Sequence, residues 1–183
     1  MPQALLYCSM VLVTIVLFCS ALAVNELLFA RLEFAHGINW IYLPAGMRLL
    51  CILLFAEAGA VGLLLVSWAV CFLYFFPDDF MRAFVGGIVA AAAPYMAYRL
   101  VQSPHGARTS LSDLTPGKLL AYAVVFSIAS PLLHHLWFAV QGQDNLLSGF
   151  GVMAAGDLAG TLIVLYTAKG LVMLLAPHPA RRR

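Results

Sequence analysis

Five side chains with acid, base or cationic chemistry fall inside long apolar stretches: Glu26, Arg48, His134, His135 and Asp157. Ionisable groups within membrane-crossing helices are costly and usually face a bundle interior or a water-filled cavity. Their depths are counted at about 1.5 Å per residue. Asn25 and Glu26 lie about one turn from the outer end of their segment, and Arg48 one to two turns below its own. His134 and His135 lie about two turns in, and Asp157 two to three. All fall within roughly the outer third to half of the membrane, yet they come from four separate segments. The spacing predicts a polar layer on the outer side of a helical bundle. Arg48 is its one guanidinium, and Glu26 and Asp157 are its natural partners, because arginine meets a carboxylate in a two-pronged geometry. Adjacent histidines project about 100° apart on a helix, so one of the pair points inward. Two chemistries stay open. The charges pair and lock the bundle, or they hold a ligand or ion.

Other chemistries find little support. A histidine metal or haem site wants ligands at compatible spacing, such as i and i+4 on one face, and His134-His135 lacks it. Cys8, Cys19, Cys51 and Cys71 lie in apolar runs without a Cys-x-x-Cys pair and read as small core residues. There is no phosphate-binding loop, no nucleophile elbow and no His-Glu-x-x-His. No catalytic residue, metal or cofactor is expected.

The elements that must position these groups follow from composition. Of 183 residues, 63% are hydrophobic and only 10% are charged. A soluble domain carries about 25% charged residues, so this mixture could not cover a soluble surface. The expected fold is all-α, a single polytopic transmembrane helix bundle over 1–183 with six spans, or alternatively five. The spans are placed at about 5–30, 42–55, 59–76, 80–100, 118–140 and 147–176, with a basic tail at 177–183. The stretch 43–76 would be about 50 Å long as one helix, against a core of about 30 Å. A break at Glu57-Ala58-Gly59 therefore divides it, with one long tilted helix as the rival. No Lys or Arg precedes Arg31, so the first segment reads as a retained span rather than a cleaved signal. Thr115-Pro116 reads as an N-cap followed by proline at the first helical position.

Cytoplasmic loops are enriched in Lys and Arg. Arg99, Arg108, Lys118 and the tail Arg181 to Arg183 then lie inside, Lys169 snorkels to the same side, and both termini are cytoplasmic. Arg31 and Arg82 lie outside. The net charge of +2 comes mostly from span ends, so it speaks of topology and not of nucleic acid. Gly156 and Gly160 form a small-xxx-small pair that lets helices approach. Pro94 and Pro131 can kink their spans and free carbonyls for polar contacts.

Two short motifs resemble a known family. The run Asn39-Trp40-Ile41-Tyr42-Leu43-Pro44-Ala45-Gly46-Met47-Arg48, followed by an apolar half-helix and a turn, is similar to the start of bacterial membrane-associated sensor (MASE-type) domains. Ala155-Gly156-Asp157-Leu158-Ala159-Gly160 resembles the glycine-aspartate-x-x-glycine signature of their last conserved span. The likeness covers roughly 40–165. It implies an outward-facing sensing core built from Pro44, Gly46, Gly156 and Asp157, ahead of a cytoplasmic signalling module. No such module follows Ala176 in these residues, so signalling would need a partner in trans. Arg48 departs from the family pattern. The six short spans also resemble, in architecture alone, the substrate-capture subunits of energy-coupling-factor vitamin transporters.

The expectation is a stand-alone sensing or ligand-binding module of a bacterial inner membrane. It sits in the lipid bilayer with a membrane or cytoplasmic protein partner and a small-molecule ligand. A solute-transport or substrate-capture subunit and a structural subunit of a larger complex are the alternatives.

Overall fold

A computed structural model of the chain describes residues 2–35, 37–102 and 114–175. His36, the loop residues His105, Arg108 and Asp113, and the basic tail 177–183 lie outside the described residues.

The chain is built almost wholly of helices: α1 Pro2–Phe29, α2 Leu43–Phe55, α3 Glu57–Val70, α4 Phe80–Val101, α5 Pro116–Val140 and α6 Leu146–Leu175. A 3-10 turn, Ala30–Leu32, leads from α1 into a small antiparallel hairpin, β1 Glu33–Ala35 and β2 Ile38–Asn39. A π-helical turn, Cys71–Phe75, extends α3. Five helices are long and apolar enough to cross a membrane, the pattern of a multi-pass membrane protein.

The exception is α2. Its 13 residues reach about 20 Å, short of a core of about 30 Å. The stretch expected to hold a break does break, and at Ala56 rather than at Glu57 to Gly59. Ala56 takes φ 48° and ψ −115°, which ends α2 and reverses the chain. Gly59 then packs against the Cys51 carbonyl, where a Cβ would stand 2.5 Å from the oxygen. A single long helix is thereby ruled out, because residues eight apart in one helix lie about 12 Å apart. The α2–α3 hairpin packs between α1, α4 and α6.

Local chemistry sets the helix starts. The Asp79 carboxylate accepts the Arg82 N–H at 2.9 Å and caps α4. The Thr115 hydroxyl accepts the Lys118 N–H at 3.3 Å, and Pro116 opens α5, as the sequence predicts. Tyr42 gives α2 no side-chain cap. Asn25 of α1 supplies one instead, its Oδ1 accepting the Leu43 N–H at 2.9 Å. Asn25 is fully buried.

The non-helical residues between β2 and α2 bend across α6. Tyr42 donates its N–H to the Gly156 carbonyl at 3.2 Å. A Cβ on Gly156 would overlap the Asn39 carbonyl oxygen, and one on Gly160 would overlap that of Tyr42. This glycine pair therefore seats a non-helical backbone as well as a helix. The helix contact is at Gly46, where a Cβ would stand 2.6 Å from the Gly160 oxygen. Pro44, in the first turn of α2, needs no helical N–H partner there.

The core is aliphatic and aromatic, with Phe18, Leu49, Ile52, Leu63, Leu119, Phe126 and Leu165 fully enclosed. One end of the bundle gathers the β-hairpin, the start of α4 and the α5–α6 turn, since one cavity is lined by all three. At the opposite end the Tyr166 hydroxyl donates to the Pro116 carbonyl at 3.1 Å, and the Lys169 amine to the Leu114 carbonyl.

Candidate functional site

Beneath the β-hairpin lies a cavity of about 60 Å³, bounded by α2, the π-helical turn, α4, α5 and α6. Its polar lining is Tyr42, Arg48, Cys71, Arg82, His134 and Trp137. Phe75, Phe76, Val89, Phe138 and Met153 supply apolar walls. Gly37 and Ile38 of the hairpin stand at its edge.

Arg48 is the most buried cation, only 7% exposed. Its guanidinium carbon sits 5.2 Å from the centre of the Phe18 ring and 5.6 Å from that of Tyr42. Aromatic faces attract a cation but accept none of its in-plane N–H groups. The Arg48 Nε accordingly has no hydrogen-bond partner.

The partner expected for it does not close on it. Asp157 is buried to 1% exposure, and its Oδ2 also lacks a hydrogen-bond partner. Arg48 and Asp157 are within electrostatic reach of one another, without a direct bond. Ser130 stands beside Asp157 and is turned to its carboxylate. Tyr42 lies within electrostatic reach of Arg48, Asp157, Glu26 and Cys71, which marks it as the centre of the cluster. Glu26, half-buried near the end of α1, stays at the margin. The fold thus brings Glu26, Arg48 and Asp157 from three helices to one level, and leaves them without the two-pronged ion pair that the sequence predicts.

The two histidines divide. His134 lines the cavity and lies within electrostatic reach of Arg48. Its Nδ1 donates to the Ser130 carbonyl at 2.8 Å, which leaves Nε2 as an acceptor. His135 turns to a second cavity and donates from Nδ1 to the Pro131 carbonyl at 2.9 Å. A Cβ on Gly149 would stand 2.9 Å from the His135 Nε2, so that glycine makes room for the ring. Pro131 itself has no N–H, which frees the Ser127 carbonyl within α5; Pro94 does the same to Ala90 in α4.

That second cavity is larger, about 550 Å³, and more polar. Gln143, Asp144, Asn145 and Ser148 of the α5–α6 turn line it, opposite Phe34 and Ala35 of the hairpin. The two cavities share Ile38, Arg82 and Phe138.

Arg82 is a cavity-lining cation that the sequence reading did not count in the polar layer. The polar layer was expected to hold one guanidinium, and Arg82 was placed outside, beside the Pro77-Asp78-Asp79 turn. Its guanidinium instead stacks at 4.3 Å on Phe76 and 5.4 Å on Phe138, and its Nε is buried without a partner. The available signal was aromatic: Phe76 and Phe80 precede Arg82, and Phe84 follows it. Trp137 adds a third unpartnered donor, Nε1, to the same cavity.

Among the described residues, no group of three or more His, Cys, Asp or Glu side chains could hold a metal ion. Compared with family models, curated proteins and solved structures, the chain matches none of them.

Proposed function

We propose that this chain is a sensing or ligand-binding module of a bacterial inner membrane, signalling through a protein partner in trans. In this reading it makes six helical passes with both termini cytoplasmic. The cavity then lies toward the outer face; Pro44, Gly46, Gly156 and Asp157, the core implied by the resemblance to membrane-associated sensor domains, are not among its lining residues. The observation that carries the reading is the cavity that contains Arg48. A bundle locked by its own charges would close Arg48 onto Asp157 or Glu26. Here the guanidinium rests on aromatic rings beside the cavity, with its enclosed Nε unpartnered.

The test uses the full chain in lipid nanodiscs, screened against small polar and amphipathic solutes for saturable stabilisation to heat. Arg48→Gln should abolish the shift of any solute that binds. If no solute stabilises the protein, and Arg48→Gln costs the several kcal/mol expected for a broken buried ion pair, the charges are structural. Uptake of the same solute into proteoliposomes, with and without co-purifying chains, would place the module with substrate-capture subunits.

A further inference from the structure

We propose that the cavity binds a small organic anion, with a carboxylate or phosphoryl head between Arg48 and Arg82 and a short apolar body against Phe75, Val89 and Met153. The proposal rests on the ligand-binding reading above and adds the chemical class of the ligand.

Three observations converge. First, the unsatisfied groups at the cavity are donors. Arg48 Nε, Arg82 Nε and Trp137 Nε1 all lack partners, and all three residues line it. These nitrogens are themselves enclosed, so they show that the wall of the cavity is rich in donors rather than in acceptors. Second, the charge has one sign. Two arginines line the cavity, and none of the described lining residues is acidic. Asp157 and Glu26 are within electrostatic reach of Tyr42 and are not among the lining residues, so they offset part of this field without occupying the space. Third, both guanidiniums are stacked on rings, Arg48 on Phe18 and Tyr42 and Arg82 on Phe76 and Phe138. These ring contacts hold each cation at the wall of the cavity.

Size limits the choice. One water needs about 10–15 Å³ of such space. About 60 Å³ therefore admits a head group with a few carbons, and excludes a nucleotide. Arg82 lines both cavities and, with Ile38 and Phe138, stands where they adjoin. Asp144, which lines the larger cavity, bears the opposite sign.

The test is equilibrium binding to the full chain in phosphatidylcholine nanodiscs, with butyrate and methyl phosphate as anions and butyramide as the neutral match. At least one anion should bind about ten-fold or more tightly than butyramide. Arg82→Gln should remove that preference, bringing the anions to the affinity of butyramide or below. Arg82 is half-buried near the helix start, so this variant should fold even where Arg48→Gln does not, and monodisperse elution checks it. If butyramide binds as well as the anions, the charge plays no part and the anion proposal falls, while the ligand-binding reading stands. If none of the three binds saturably, both fall. Nanodiscs containing phosphatidylglycerol separate the sources of the head group. Loss of soluble-anion binding there assigns the site to a lipid head, and unchanged binding assigns it to a soluble acid.

Discussion

The Asn25 side chain accepts the backbone N–H of Leu43, 18 residues away, and so caps a helix that it does not belong to. The first helix thereby sets the height of α2, and with it the height of Arg48 five residues further on. Removing this acceptor would leave the Leu43 N–H buried and unsatisfied. Asn25→Ala should lower the stability of the full chain by about 1–3 kcal/mol. Reversible unfolding in mixed detergent micelles measures it. A loss under a few tenths would show that the bond contributes nothing to holding α2.

The glycines of α6 give an internal contrast. Gly160→Ala would drive a methyl group into the Tyr42 carbonyl, backbone against backbone, with nothing flexible to yield. Gly151, on the same helix, has open space where a Cβ would go. Gly160→Ala should therefore be strongly destabilising, by about 3 kcal/mol or more, or fail to assemble. Gly151→Ala should be neutral or gain up to about 1 kcal/mol. The same unfolding assay on both variants decides it, and equal behaviour would contradict the close seating of 39–42 on α6.

Ala56 carries the reversal between α2 and α3 at φ 48° and ψ −115°, a backbone region that suits glycine. An alanine held there stores about 1–3 kcal/mol. Ala56→Gly should raise stability by about 1 kcal/mol, and Ala56→Val should lower it. A stabilising valine would mean that no sharp reversal exists at this position.

Arg48 and Asp157 feel each other without bonding. Breaking a hydrogen-bonded buried ion pair costs about 3–5 kcal/mol. Arg48→Met should cost less than this or even stabilise, since it removes a buried charge and keeps much of the volume. A double-mutant cycle of Arg48→Met with Asp157→Asn should return a coupling below about 2 kcal/mol. A larger coupling would identify a closed pair and favour the structural reading.

How much of this was legible in the sequence depended on whether a contact was local. The apolar runs specified the helices, and Thr115-Pro116 specified the start of α5, because each signal lies within the element it governs. The break in 43–76 followed from length alone, but its position at Ala56 did not, since alanine carries no turn signature. Depth counting brought Glu26, Arg48 and Asp157 to one level, as the fold does. It could not foresee that Arg48 would prefer the rings of Phe18 and Tyr42 to a carboxylate, because ring faces are arranged by packing. Arg82 was missed for the same reason: its inward turn depends on Phe138, 56 residues away in the chain. Gly156 and Gly160 were read as a seam for another helix, and the non-helical segment they also seat has no sequence signature of its own.

The seating of that segment has a mechanical consequence. Where carbonyl rests on glycine, no side chain stands between to soak up a small displacement. A shift of the loop that carries Tyr42 would pass to α6 nearly undiminished. That helix has 30 residues and is about 45 Å long, enough to run from the β-hairpin end of the bundle to beyond the other. Filling or emptying the space around Arg48 would then be felt at Lys169, as the movement of a rod rather than as a relay of contacts.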